Sequence, residues 1–236
     1  MSPSAKAVFE NRDDAGRQLA EKLAEYAGQS AVVLAIPNGG VPVALGIALA
    51  LEAELDLVIS RKLPLPLLPE GGFGAVTDGG TIILDEAMVK QAGLNQSQID
   101  HQVGQVRAGI LKRSLLYQRE KRPVSVTGRT VIIVDDGLAA GYTMKAAVVS
   151  VRHRRPGQVI VAVPVGPEPV IKEMAAVADR VITCAVGDTA SFFVADYYRY
   201  WRDVSDDEVL RCLREYQVQH SRQGAKRPPE IRRKPF

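Results

Sequence analysis

Thirteen consecutive residues, Val131 to Thr143, read VIIVDDGLAAGYT and place two kinds of useful polar group close together. Val131 to Val134 are apolar, as a buried strand requires, and they deliver Asp135 and Asp136 to the strand's end. Adjacent carboxylates repel each other, so burying the pair is costly unless a cation or hydroxyl donors satisfy them. A vicinal diol does this, with one hydroxyl donating to each carboxylate. Gly137 to Tyr142 then form a small-residue loop that enters a helix near Thr143. Unpaired N–H groups at such a helix start, with the helix dipole behind them, make an anion site. Ala139, Ala140 and Gly141 let a phosphate approach the backbone, and the Thr143 hydroxyl adds a donor. Diol acceptors followed at once by a phosphate nest describe a single ligand, a ribose 5-phosphate. The plainer reading is an Asp-Asp-Gly turn that only caps a helix; it does not account for the full strand, acid-pair, small-loop, Gly-x-Thr order.

The elements around this segment follow from hydrophobic periodicity. Ala15, Leu19, Ala20, Leu23, Ala24 and Ala27 recur at helical spacing across Asn11 to Ala27, and Gly28 suits the stop. Ala31 to Ile36 is a short continuous apolar run, expected of a strand covered on both faces. It ends in Pro37-Asn38-Gly39-Gly40, after which Val41-Pro42 opens a helix to about Glu52, with Pro42 suited to its first position. Leu55 to Ser60 reads as the next strand. The rhythm resumes with a strand at Thr130 to Val134, a helix at Thr143 to His153 and a strand at Val159 to Val163. A helix at Glu168 to Ala176 and a strand at Val181 to Ala185 follow. Strand–helix–strand order at this pitch predicts an α/β fold, a central parallel sheet with helices on both faces. Ligands of such sheets sit at the carboxyl ends of the strands, where all the suggestive loops fall.

Residues 61–129 read as an insertion, a hairpin and helical subdomain forming a hood over the sheet. It holds a Gly-rich stretch at Glu70 to Gly74, a candidate lid, and a hairpin from Gly74 to Leu84 turning at Asp78-Gly79-Gly80. A short helix near Glu86 to Ala92 precedes a long one from Gln96 to about Arg119. On the long helix Ile99, Val103, Val106 and Ile110 form one apolar stripe, fit to pack on the domain or on a second copy, and a homodimer is expected. Ser205 to Glu208 matches a capping box that opens a last helix to about Gln217. The expected organisation is a single domain over residues 1–220 and a basic, disordered tail over 221–236.

Composition narrows the function classes. The chain has 236 residues, 46% hydrophobic and 24% charged, enough to bury a substantial core. Its net charge of +3 is local: Arg222, Lys226, Arg227, Arg232, Arg233 and Lys234 oppose only Glu230, so the rest of the chain is net negative. Without a basic stripe on the body, nucleic acid is not expected as a partner except through that tail. Cys184 and Cys212 have no metal-ligand or redox spacing and read as reduced packing residues. The polar N-terminus and the lack of a long apolar run predict a cytoplasmic protein with no membrane partner. No GxGxxG follows a strand and no GxxxxGK[ST] occurs, which excludes the usual dinucleotide and P-loop motifs.

The Val131–Thr143 segment resembles the 5-phosphoribosyl 1-diphosphate (PRPP) motif of type I phosphoribosyltransferases: four apolar residues, two acids, small and hydroxyl residues, then Gly-x-Thr. The resemblance extends over roughly Phe9 to Val209 and is closest to a group of bacterial and archaeal predicted phosphoribosyltransferases. It implies that Asp135 and Asp136 bind the ribose hydroxyls and act as the catalytic pair, and that Gly137, Ala139, Ala140, Gly141, Tyr142 and Thr143 hold the 5-phosphate. It further implies pyrophosphate contacts at Asn38, Gly39 and Gly40, after the first core strand, and at Arg61 and Lys62, after the second. Mg²⁺ is the implied cofactor, bound mainly through substrate oxygens, with no dedicated protein metal site. Ala140 stands where Thr or Ser is usual, Tyr142 where a small residue is common, and Asn38 where relatives often carry Arg.

Six of the chain's thirteen aromatics fall between Phe192 and Trp201, after Val186-Gly187-Asp188-Thr189. Phe192, Phe193 and Tyr197 are candidates for a hood on which an aromatic or nitrogenous acceptor stacks; packing of the last helix or of a dimer contact is the other reading. Two functions remain open, PRPP-dependent transfer to a nitrogen acceptor and non-catalytic PRPP or nucleotide sensing. A different nucleotide enzyme on a similar sheet is a third.

Overall fold

The structure is a computed structural model that describes residues 7–66, 68–120, 123–188 and 192–225. In chain order it has α1 (Arg12–Lys22), β1 (Val32–Ala35), α2 (Gly40–Leu51), β2 (Glu54–Leu57), β3 (Ser60–Leu65), β4 (Leu68–Thr77) and β5 (Ile82–Leu84). Helices α3 (Glu86–Gln91) and α4 (Gln96–Tyr117) come next. The second half comprises β6 (Thr130–Val134), α5 (Tyr142–Arg152), β7 (Gln158–Pro167), α6 (Glu168–Ala175), β8 (Arg180–Gly187) and α7 (Asp206–Ala225).

β2, β1, β6, β7 and β8 form, in that order, a wholly parallel sheet. Alternate residues of its central strands feed two separate cores, as the two-residue strand period dictates. Val33, Ala35, Ile132 and Val134 pack with α1, α2 and α7 on one face. Val32, Leu34, Val131 and Ile133 pack with α5 and with Met174 of α6 on the other. All eight strand residues are fully buried, which explains why their runs are apolar throughout rather than alternating.

The inserted segment is more ordered than its Pro- and Gly-rich sequence predicts. The chain leaves the parallel sheet after Leu57, and Ser60 starts β3, which pairs antiparallel with β4, while β4 pairs with β5. Arg61 and Lys62 therefore stand on a strand, opposite Val76 and Ala75, and not in a loop. The Glu70–Gly74 stretch, expected as a lid, lies within β4. The hairpin at Gly74 to Leu84 forms with the expected pairing. The stripe on α4 is used inside the chain: Ile99, Val103 and Ile110 are buried and Val106 packs beside them, so it gives no support for a second subunit.

Other boundaries shift modestly. Pro42 is the third residue of α2, because Gly39 and Gly40 already enter the helix. The Ser205–Glu208 capping box forms, with the Ser205 amide donating to Glu208 Oε2 at 3.1 Å and the Glu208 amide to Ser205 Oγ at 3.3 Å. Helix α7 continues to Ala225, past the expected end at Gln217 and through the first residues assigned to the tail. Lys226 to Phe236 lie outside the described residues, as does Thr189.

Candidate functional site

The carboxyl ends of β1 and β6 meet at the acid pair. Helix α2 can begin this close to it only because residues 39 and 40 lack side chains. A Cβ on Gly39 would lie 1.9 Å from Asp136 Oδ2, and one on Gly40 would lie 2.7 Å from the Val134 carbonyl oxygen. The Gly40 amide donates to the Ile36 carbonyl at 3.1 Å, closing the turn from β1 into α2. The Pro37–Asn38 peptide between strand and helix is cis.

Asp135 accepts the Asp136 amide on Oδ1 at 2.9 Å. The residue keeps some exposure, but its carboxyl group is enclosed; burial and the neighbouring Asp136 charge push its pKa well above the ordinary carboxylate range. Asp136 has a partner that no local pattern predicts. Arg12 of α1, more than a hundred residues away in sequence, places Nε at 2.8 Å and Nη2 at 2.7 Å from Asp136 Oδ2. Tyr198 donates its hydroxyl to the Asp136 carbonyl at 2.6 Å, which fixes the backbone of the turn.

Beyond the acids, the Leu138 amide donates to the Val165 carbonyl at 2.8 Å and pins the loop to the end of β7. Among the described residues, no protein acceptor takes the amides of Ala139, Ala140, Gly141, Tyr142 or Thr143. Gly141 adopts a left-handed conformation, φ +81°, that only glycine takes without strain, and it caps α5 so that these amides converge. On the other side, Ser60 Oγ donates to the Thr143 carbonyl at 2.8 Å and ties α5 to the inserted sheet. Tyr142, the departure from a small residue, reaches out to Asp85, donating at 2.5 Å to the side chain that caps α3. Burial and that hydrogen bond push the Tyr142 hydroxyl up to about 12.

A cavity of about 480 Å³ opens over these groups. Asp135 to Met144 form its floor, Lys62, Gly71, Gly72 and Gly74 its inserted-sheet wall, and Val194 and Trp201 the opposite rim. Thus the acid pair, the open amides and Lys62 face one space.

Asn38 and Arg61, expected at the pyrophosphate, make hydrogen bonds within the chain in this structure. The Asn38 amide donates to the Val204 carbonyl at 2.9 Å and to Asp206 Oδ1 at 3.0 Å, while Arg61 Nη2 donates to Asn38 Oδ1 at 2.7 Å. Tyr117 donates to Asp206 at 2.6 Å, completing a network that joins the first loop to β3, α4 and the start of α7. Burial, then the nearby Arg113, lower the Arg61 pKa. Its Nε is buried without a partner among the described residues.

The aromatic cluster divides as well. Tyr197 is buried against Phe192 at a ring separation of 5.4 Å and accepts the Asp188 amide at 3.1 Å. Phe193 is 66% exposed. None of the three expected hood residues lines the cavity; Trp201 does. Arg12 is the participant that sequence reasoning missed, whereas Trp201 belongs to the aromatic run read as a hood or a packing cluster. An arginine at the start of a helix resembles any surface residue, and Trp201 is one aromatic among six.

Among the described residues there is no helix long and apolar enough to cross a membrane, and no group of three or more His, Cys, Asp or Glu suited to a metal.

The acid pair and the open amides thus lie together in the loop after β6, at the carboxyl edge of the parallel sheet, where ligands of such sheets bind. The phosphoribosyl transferase domain family matches residues 85–200. A Mycobacterium tuberculosis protein named "Putative phosphoribosyl transferase Rv0571c" is 38% identical over 206 residues, covering 87% of this chain and 46% of the relative. This chain therefore spans about half the length of the curated relatives it matches. The crystal structure of TT1426 from Thermus thermophilus is 35% identical, with a TM-score of 0.72 over 88% of this chain and 98% of that one. The chain belongs to the phosphoribosyltransferase family.

Proposed function

We propose that the protein binds PRPP with Mg²⁺ in the cavity above Asp135 and Asp136 and transfers the 5-phosphoribosyl group to a nitrogen acceptor, releasing pyrophosphate. The observation that carries this reading is the convergence of a buried acid pair and five open amides on one cavity floor. Asp135 and Asp136 accept the vicinal hydroxyls of the ribose. The amides of Ala139 to Thr143, at the positive end of α5, hold the 5-phosphate. Ala140 contributes no hydroxyl, so the backbone carries more of the anion's binding here.

Lys62 lines the cavity from β3 and stands nearest in role to a pyrophosphate contact. Gly39 contributes by letting the loop pack on the acids, and Asn38 and Arg61 hold that loop in place. Mg²⁺, held through substrate oxygens and not by a dedicated set of protein ligands, would supply positive charge against the leaving pyrophosphate. What the protein supplies is fixed geometry and exclusion of water while positive charge builds at C1 of the ribose. The acceptor lies toward Val194 and Trp201, where an aromatic wall suits a flat nitrogenous ring. The expected setting is the cytoplasm.

The test is pyrophosphate release from PRPP and Mg²⁺ across a panel of purine, pyrimidine and related nitrogen acceptors. Release with at least one acceptor, abolished in the Asp135→Asn/Asp136→Asn variant, supports transfer. A second reading, PRPP sensing without turnover, is favoured by the internal engagement of Asn38 and Arg61. It predicts PRPP binding with no release for any acceptor.

A further inference from the structure

Arg12 occupies the first residue of α1, where the helix dipole disfavours a cation, yet it is only 8% exposed. Five contacts hold it, one of them the Tyr198 ring, whose centroid is 5.9 Å from the guanidinium carbon. Nε and Nη2 converge on a single oxygen, Asp136 Oδ2, at 2.8 and 2.7 Å. Nη1 donates to the Arg202 carbonyl at 2.7 Å. The guanidinium carbon lies 3.8 Å from the centroid of the Trp201 ring, which covers one face of the group and keeps water from it. The same indole lines the cavity above the acids.

Such a fork does two things to the carboxylate. It anchors Oδ2 in place, and it leaves Oδ1 without a bond from the arginine. It also makes two adjacent acids unequal, because Asp136 has a cation in contact while Asp135 is enclosed beside it. We propose that Arg12 is a positioning residue for the ribose, holding the Asp136 carboxylate by Oδ2 so that its Oδ1 takes a hydroxyl of the incoming sugar. The proposal rests on the PRPP reading of this cavity. Arg12 acts through Asp136 and does not itself touch the ligand. Trp201 and the Arg202 carbonyl keep the guanidinium in place, so the segment after Tyr198 supports the site from behind.

A clamp that only anchors α1 to β6 would show the same contacts, so the test must separate stability from ligand geometry. PRPP with saturating Mg²⁺ is titrated calorimetrically into wild type, Arg12→Met, Arg12→Lys, Asp136→Asn and the Arg12→Met/Asp136→Asn pair. Melting temperatures are recorded for each. The proposal expects Arg12→Met to weaken binding by about tenfold to a hundredfold, the effect of losing one charge-assisted hydrogen bond. Arg12→Lys, which keeps the charge and loses the fork, should fall between it and wild type. In the Asp136→Asn background, removal of Arg12 should change affinity by less than about threefold, because the carboxylate it positions is already gone.

Equal affinity in wild type and Arg12→Met overturns the proposal and leaves the PRPP reading standing. The same loss in both backgrounds also overturns it, since Arg12 would then act independently of Asp136. No binding by wild type overturns both readings. If Arg12→Met does not fold, Arg12→Lys decides: affinity equal to wild type overturns the proposal, and a clear loss with an unchanged melting temperature supports it.

Discussion

At the residue scale the acid pair explains both the site's binding chemistry and a cost to the fold. The raised pKa of Asp135 means that the folded chain keeps a proton at pH values where the unfolded chain has released it. Stability therefore falls as pH rises from the ordinary carboxylate range toward that raised value. Asp135→Asn removes this penalty and preserves the acceptor for the Asp136 amide. The variant should melt a few degrees above wild type at pH 8, with a smaller gap at pH 5, while losing PRPP affinity. Scanning calorimetry at the two pH values checks this; a wild type that melts higher at pH 8 contradicts it. Gly39 is the second sensitive position. A methyl group there would collide with Asp136 Oδ2, so Gly39→Ala should cost about 1–3 kcal/mol in urea denaturation and weaken PRPP binding together. The acids and the small-residue loop were legible in the sequence because they are contiguous, and one strand end sets their geometry. Arg12 was not, because its meaning depends on a contact between opposite parts of the chain.

At the element scale, helix ends decide how the cavity is framed. The capping box at Ser205 begins α7 beside Asp206, which closes the network around Asn38. Ser205→Ala should destabilise the protein by about 1 kcal/mol, read from the shift in denaturation midpoint; a shift within error would show that α7 is held by packing alone. Tyr142 joins the phosphate loop to the cap of α3, and Tyr142→Phe should cost about 0.5–1.5 kcal/mol by the same measurement. No change on that substitution would mean the Asp85 contact adds nothing to the coupling of the two parts. The strands and helices of the parallel sheet were readable since continuous apolar runs and helical periodicity are local signals. The β3–β4 pairing was not. Its residues include Pro64, Gly71 and Gly72, with register shifts between Lys62 and Leu65, so no two-residue alternation survives to announce a strand. Arg61 and Lys62 are expected together at the pyrophosphate from the family resemblance, which does not show that they stand on a strand. Neighbours on a strand point to opposite faces, so Lys62 lines the cavity while Arg61 turns into the network behind Asn38.

At the scale of the whole molecule, the parallel sheet supplies the rigid part and the inserted sheet supplies a wall. β1 and β6 are neighbours with parallel register, Ala35 beside Val134, so the loops that follow them lie side by side. This brings the glycine turn and the acid pair to the same spot without any long side chain reaching between them. The inserted sheet closes over α5 through Ser60 and Tyr142, and Lys62 comes with it. The apolar stripe of α4 is used in holding that sheet to the core.

The most direct measurement is a calorimetric titration of PRPP with saturating Mg²⁺ into wild type and into the Asp135→Asn/Asp136→Asn variant. The account predicts saturable binding at one site per chain in wild type, and affinity at least about tenfold weaker when both carboxylates are gone. A wild type that takes up no PRPP, or a double variant that binds it equally well, would contradict the account.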